Sequence, residues 1–381
     1  MLAINFIIIR ADKNGGTRVV FSLANELAKK NIKVTILALA GNHKWFNLKA
    51  KVIYPDNHLL KNLFRLLLRR FNDSSYYYLD LILRNRFNVN VDILKLLADF
   101  TLDCDYNIGN SYLTIFSAYL SNKGLPIYYI MGPQDIEIYA RKDDYHYHKN
   151  LALASYYLPV KRIVVSKYLF DYMLKFNIKP DAIIPNGVDT TKFKPCKQKE
   201  DNLILGIWRN VWFKGSDDLL KLFSILHKKD PSLKFLVIGR PDKNLIKKYD
   251  LENCLNIVES PNDEQLAKIY SSAYIYVSTS YIEGFGLPPL EAMACGTPPV
   301  MFDSGGINEY AINGYNSIII KNRNIEFMAD KILELLKNQT LYNEIRNNGI
   351  QTAKNFQWKI IADKFLEILK KFKEDNSMNK V

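Results

Sequence analysis

The chain is poor in the groups that mark metalloproteins and disulfide-built domains. Its four cysteines, Cys104, Cys196, Cys254 and Cys295, lie far apart, form no CxxC pair and have no histidine at ligand spacing. A zinc site and a disulfide framework are excluded on that spacing, and the expectation is of buried free thiols in a reducing compartment. No apolar run reaches the roughly 18 residues needed to span a bilayer. The stretch Met1 to Ile9 meets Arg10 without the layout of a cleavable signal, so an intracellular protein is expected. Neither GxGxxG nor GxxxxGK[ST] occurs, which removes the usual dinucleotide and P-loop readings. Helix-turn-helix, zinc-finger and RNP-type signatures are missing too, leaving a nucleic-acid binder with nothing but charge in its favour. Disorder and coiled coil are excluded by the balance of 48% apolar and 24% charged residues. A length of 381 residues suits two cores of about 150 to 200 residues each.

Negative charge is scarce in one half only. Residues 1–200 hold 29 Lys and Arg against 17 Asp and Glu, whereas 201–381 hold 23 against 22. Such one-sidedness points to a polyanion: nucleic acid, an anionic membrane surface or a phosphorylated substrate. Within Lys61 to Phe71, Lys61, Arg65 and Arg69 fall four apart on one helical face, while Leu63, Phe64, Leu66, Leu67 and Phe71 cover much of the rest. This is the layout of an interfacial basic helix, and also that of a core-facing helix with a solvated side.

The hydrophobic pattern alternates strand and helix from end to end. Ile4 to Ile9 reads as a strand buried on both faces and runs into the polar loop Arg10 to Thr17. A helical spacing of Val20, Leu23, Ala24 and Leu27 continues to Lys30, and Ile32 to Leu39 is the next strand. Further strands are read at 106–108, 127–130 and 163–165, with a helix over 167–176. Ile183 to Asp189, followed by the lysine-rich 192–199, reads as linker. A second series follows: strands at 203–207, 235–238, 273–278 and 299–302, helices near 217–228 and 264–271. The chain should close with an amphipathic helix over 358–373 and a frayed polar tail from Glu374.

Three segments carry chemistry. Glu283-Gly-Phe-Gly-Leu-Pro-Pro-Leu-Glu291-Ala-Met-Ala-Cys-Gly296 follows an apolar strand and turns through two glycines. It then enters a short helix that Pro288 starts and Gly296 ends, an anion-binding helix N-terminus with Glu291 read in its first turn. Glu283 lies at a sheet's carboxyl edge, where ligands of open α/β sheets bind, and its plain alternative is a solvated loop acid. In Gly206-Ile-Trp-Arg209-Asn-Val-Trp-Phe-Lys214-Gly215, a planar fork and a point charge flank one loop, the pair suited to a diphosphate. Asn14-Gly15-Gly16-Thr17 offers helix amides to an anion or is only a tight turn.

Together these segments resemble the GT-B glycosyltransferases, in particular retaining family 4 of the bacterial and archaeal polysaccharide type, over nearly the whole chain. The family's E-x7-E is Glu283 to Glu291, its R-x4-K-G is Arg209 to Gly215, and its GGxxE lies within Ser304 to Glu309. NGVD at Asn186 to Asp189 and Phe356-x-Trp358 are similar as well. The resemblance implies two Rossmann-like domains facing a cleft: 1–185 for the acceptor, 186–357 for a nucleotide-sugar, and 358–381 crossing back to the first.

By position, Arg209 and Lys214 would bind the donor diphosphate and Glu291 the ribose hydroxyls. Glu283 with Gly284, Phe285, Gly286 and Leu287 would hold the sugar, and Gly15 and Gly16 would meet the diphosphate from the first domain. The implied reaction is retaining transfer of a hexose or deoxyhexose from a UDP-, GDP- or dTDP-sugar to a glycan or lipid-linked acceptor, at the inner face of the cell membrane. No cofactor or metal is expected, since no DxD-type carboxylate pair stands beside the phosphate loops. Many members carry a histidine after a first-domain strand; here Gln134, Asp135 and Glu137 stand there, similar to the Q-D-x-E variant of some rhamnosyltransferase-like enzymes. Asp135 would polarise the acceptor hydroxyl, or else cap the following segment. Competing readings are a nucleotide-sugar epimerase and a transferase acting on a small soluble acceptor.

Overall fold

The computed structural model describes residues 1–54, 97–133 and 152–378. They fall into two compact units, one of Met1–Val165, Leu169–Ile184 and Lys364–Val381, the other of Ser166–Tyr168 and Pro185–Asp363. Lys61 to Phe71, Gln134, Asp135 and Glu137 lie outside the described residues.

The first unit is built on a seven-stranded sheet of β1 (Ala3–Arg10), β2 (Lys33–Ala40), β3 (Lys51–Ile53), β4 (Tyr106–Gly109), β5 (Leu125–Ile130), β6 (Lys161–Val164) and β7 (Ala182–Ile183). All pairings are parallel, in the order β3-β2-β1-β4-β5-β6-β7. The apolar runs of β1 and β5 are buried because a parallel sheet is covered on both faces. After β1 the chain enters α1 (Gly15–Ala28), where Asn14 caps the start by accepting from the Thr17 amide at 2.9 Å.

In the second unit, β8 (Glu200–Ile207), β9 (Lys234–Ile238), β10 (Leu255–Val258), β11 (Ala273–Ser278), β12 (Pro299–Phe302) and β13 (Ile318–Ile320) form a parallel sheet in the order β10-β9-β8-β11-β12-β13. On its faces lie helices including Ser216–Lys229, Asp263–Ser272, Leu287–Ala294, Ile325–Lys337 and Gln339–Asn355. The Phe223 and Phe235 rings meet at 4.7 Å in a core that also holds Val237, Ile275 and Ile332.

Both sheets reverse their strand order once, between β1 and β4 in the first unit and between β8 and β11 in the second. At such a switch point the connections leave in opposite directions and open a crevice at the carboxyl ends of the strands. Asn14 to Gly16 follow the carboxyl end of β1, Arg209 to Gly215 that of β8, and Glu283 to Gly286 that of β11.

Two expectations need correction. The last helix, Trp358–Met378, runs past Glu374, so the chain is helical from that residue to Met378. From Lys364 onward this helix belongs to the first unit: Phe365 packs on Phe6 and Tyr129, and the Tyr106 hydroxyl donates to the Leu369 carbonyl at 2.6 Å. The lysine-rich stretch 192–199 is held down, since Phe193 is buried and the Cys196 and Lys197 amides donate to Ser271 Oγ at 2.7 and 2.8 Å. Of the four free thiols only Cys295 is buried, and Cys196 is exposed.

Candidate functional site

The loop after β8 is held in shape by the first residue of the helix it leads into. The Arg209 amide donates to Ser216 Oγ at 3.1 Å, and the Ser216 hydroxyl donates back to the Arg209 carbonyl at 2.7 Å. Between them Gly215 takes φ +59°, and a Cβ there would stand 2.1 Å from the Thr279 carbonyl oxygen. Only glycine permits both that backbone and that approach. The Thr279 hydroxyl donates to the Gly215 carbonyl at 2.8 Å, and the Tyr281 amide donates to the Phe213 carbonyl at 2.8 Å. These bonds tie the loop after β8 to the loop after β11.

Through that tie, two residues far apart in sequence meet. Lys214 Nζ stands 2.6 Å from Glu283 Oε1, with both side chains largely shielded, while Arg209 of the same loop is exposed. The Glu283 backbone is fixed in turn: its amide donates to the Ser304 carbonyl at 2.8 Å, and its carbonyl accepts from Gly306 at 3.0 Å. Gly305 and Gly306 thus buttress the loop, and Glu309 of the same turn accepts from the Lys167 amide at 2.7 Å within this unit.

Gly284, Phe285 and Gly286 are buried, yet their three successive amides donate to no group among the described residues. Backbone N–H groups in buried segments are nearly always paired, so this run offers three successive donors to an acceptor. Other bonds hold it still. The Ser166 hydroxyl donates to the Gly284 carbonyl at 2.7 Å, the Tyr310 hydroxyl donates to the Gly286 carbonyl, and the Phe285 ring lies 5.2 Å from that of Tyr310.

The helix that follows begins at Leu287, with Gly286 as its cap and Pro288 and Pro289 in its first turn. Its end is a Schellman motif in which the Gly296 amide donates to Met293 and the Thr297 amide to Ala292. Glu291 therefore lies in the second turn, not the first, so closeness to the helix start does not account for it. It is buried, and the Tyr270 hydroxyl donates to its Oε2 at 3.2 Å. Burial, with the nearby Glu291 carboxylate, pushes the Tyr270 phenol well up. Tyr276 and Tyr310 are raised by burial first and by Glu283 and Glu291 next. All three phenols therefore stay protonated donors at any physiological pH.

In the first unit, Gly15 and Gly16 open α1. A Cβ on Gly15 would meet nothing within 4 Å, and one on Gly16 would come no nearer than 3.6 Å to Asn14 Oδ1. Tyr270, Ser216, Thr279 and Tyr310 are contributors that motif reading missed. Ser216, directly after Lys-Gly and before two acids, carried a readable helix-start signal; the others become visible only in the fold. Among the described residues, no group of three His, Cys, Asp or Glu is arranged to hold a metal ion, and no helix is long and apolar enough to cross a membrane.

Comparison with known proteins bears on the family and the fold of the chain. A family model described as "Glycosyl transferases group 1" matches residues 188–352, and one described as "Glycosyltransferase Family 4" matches residues 13–192. An uncharacterized glycosyltransferase of Haemophilus influenzae is 26% identical over 97% of this chain and 100% of its own length. The D-inositol 3-phosphate glycosyltransferase of Rhodococcus erythropolis is 28% identical over 50% of this chain and 48% of its own length. Among solved structures, sucrose-phosphate synthase from Thermosynechococcus elongatus superposes with a TM-score of 0.75 at 17% identity, over 98% of this chain and 100% of that one. HepE of Anabaena, solved with UDP-glucose, gives 0.73 at 15% identity over 97% and 100%.

Proposed function

Because the chain is a GT-B glycosyltransferase of group 1, family 4, we propose that it moves a hexose or deoxyhexose from a nucleotide-sugar to an acceptor hydroxyl with retention at the anomeric carbon. The observation that carries this reading is the run of three unpartnered buried amides, Gly284 to Gly286, set between the Lys214–Glu283 pair and buried Glu291. A sugar ring presents several hydroxyl oxygens in one patch, which suits three successive amide donors and the Glu283 carboxylate. Arg209 and Lys214 supply positive charge for the diphosphate, and Glu291 accepts from ribose hydroxyls.

In this reaction the bond from the anomeric carbon to the diphosphate oxygen breaks while the acceptor oxygen bonds to the same face. The departing phosphate oxygen takes the acceptor's proton, giving a glycoside and a nucleoside diphosphate. The enzyme's share is positioning and stabilisation of the growing phosphate charge. Lys214 is held at 2.6 Å by Glu283, so its ammonium needs little reorganisation. A glycan or lipid-linked acceptor fits the basic excess of residues 1–200, since such acceptors carry phosphate or gather at anionic membranes.

Two measurements test the reading. Melting curves with UDP-, GDP- and dTDP-sugars should pick out one donor, because a ligand at 100 times its Kd stabilises by about 2.7 kcal/mol. NMR of the product should then show the donor's anomeric configuration. An inverted product, or a free epimer of the donor, overturns it.

Two further outcomes are expected. Chelation should leave turnover unchanged, since Arg209, Lys214 and loop amides neutralise the diphosphate; activity lost to chelator and restored by magnesium or manganese counts against this. Gly15→Ala should keep or slightly raise the melting temperature, because nothing crowds a Cβ there and Gly-to-Ala changes at tolerant sites stabilise by about 0.4–1 kcal/mol. A donor KM that rises in that intact protein would mark close ligand approach to the Gly15 amide, and an unchanged KM removes Gly15 from the site.

A further inference from the structure

At the opposite, amino-terminal edge of the second unit's sheet lies a cavity of about 570 Å³. Its lining includes Lys199 at the foot of β8, Tyr274 at the foot of β11, Lys337, and Tyr342 and Arg346 from the helix Gln339–Asn355. The Tyr274 and Tyr342 rings stack at 4.0 Å as one aromatic wall.

The cations here are poorly compensated. Lys199 Nζ donates to the Ala273 carbonyl at 2.8 Å, to the Tyr270 carbonyl at 3.5 Å and to Thr297 Oγ1, all neutral oxygens. Arg346 makes no hydrogen bond or ion pair among the described residues, and its Nε is buried without a partner. A buried guanidinium N–H without an acceptor costs free energy, and the half-exposed remainder of the Arg346 head is open to a ligand. Burial pushes the Lys199 amine down to about 7, Cys295 works against that shift, and Arg346 adds to it, so the two cations repel across the cavity. Two carboxylates also line it, but Asp230 accepts from the Ser232 amide and hydroxyl and Asp201 is exposed.

We propose that this cavity binds a phosphate-bearing small molecule of sugar-phosphate size, with the Arg346 guanidinium as the fork for phosphoryl oxygens. A planar fork with free N–H groups matches a phosphate bidentately. The volume leaves room for a body beyond the phosphate against the tyrosine wall. This site is separate from the loops that carry Arg209, Lys214 and Glu283, which follow the carboxyl ends of the same strands.

The test is calorimetric titration of the full chain with glucose 6-phosphate and with inorganic phosphate, on the wild type, Arg346→Gln, Arg346→Lys and Arg209→Ala/Lys214→Ala. Glucose 6-phosphate should bind the wild type and the Arg209/Lys214 double variant alike. Arg346→Gln should weaken it about tenfold or more, the scale of a lost charged hydrogen bond. Arg346→Lys, which keeps the charge and the fold but not the fork, should fall between. Inorganic phosphate binding with the same variant pattern places the recognition in the phosphate alone; glucose 6-phosphate binding much more tightly adds the body. Absence of binding by either probe at millimolar concentration overturns the proposal. So does binding that the Arg209/Lys214 variant abolishes, or that a folded Arg346→Lys protein retains in full.

Discussion

Replacing Arg209 and Lys214 together with Ala should lower turnover on the order of 10²-fold or more, the scale of losing a preorganised charge at a developing anion. The reason lies in how each is held. Arg209 is exposed, but its backbone is fixed by reciprocal bonds with Ser216, and Lys214 is set on Glu283 at 2.6 Å. The Lys214 charge therefore stands in place, and that of Arg209 is carried on a fixed backbone, before the leaving group becomes negative. Lys214→Ala alone should also lower the melting temperature, because it leaves a largely shielded Glu283 without its cation. Steady-state kinetics on the double variant, with nucleoside diphosphate affinity measured by calorimetry, separates loss of rate from loss of binding. Wild-type turnover in the double variant would remove both residues from the reaction.

Gly306→Ala should be nearly as damaging, although Gly306 bears no side chain and is assigned no contact with substrate. An added Cβ would stand 2.3 Å from the carbonyl carbon and oxygen of Gly284 and 2.5 Å from the Glu283 oxygen. These are backbone atoms, so either the Glu283–Gly284 segment moves or the 304–306 turn does. Overpacking of this kind costs about 1–3 kcal/mol, which is about 2–4 °C in Tm per kcal/mol for a unit of this size. The larger effect is on geometry. A shift near 1 Å in a positioning element costs about 10²-fold in rate, and here it would move Glu283 off Lys214 and re-aim the amides of Gly284 to Gly286. Kinetics and melting curves on the purified variant check this; wild-type values for both would show that the turn yields without moving the loop.

Much of this architecture was legible in the sequence. The strands at Ala273–Ser278 and Pro299–Phe302 have the limits that their apolar runs suggested, because central parallel strands are apolar on both faces and end at turn residues. The strands Lys51–Ile53, Leu255–Val258 and Ile318–Ile320 went unread. They are short and lie at sheet edges, where burial is partial and alternation has too few residues to register. The motif residues Arg209, Lys214, Glu283 and Glu291 were visible, but the contact of Lys214 with Glu283 was not. It depends on Thr279 locking onto Gly215, a tertiary bond with no sequence periodicity. The placing of Glu291 was misread because Leu287, Pro288 and Pro289 already occupy the first turn, carrying the carboxylate one turn deeper, to the Tyr270 hydroxyl.

The closing helix has a consequence for synthesis. Domains made on the ribosome commonly fold in the order in which they emerge. Here β1 is made well before the closing helix, yet Phe6 is covered by Phe365, and the Tyr106 hydroxyl finds its acceptor at Leu369. The amino-terminal unit therefore waits, with part of its apolar surface open, until the carboxyl-terminal unit has been translated. The unit made second is the first able to complete its core, and the nascent first unit is the one that calls for protection in the interval.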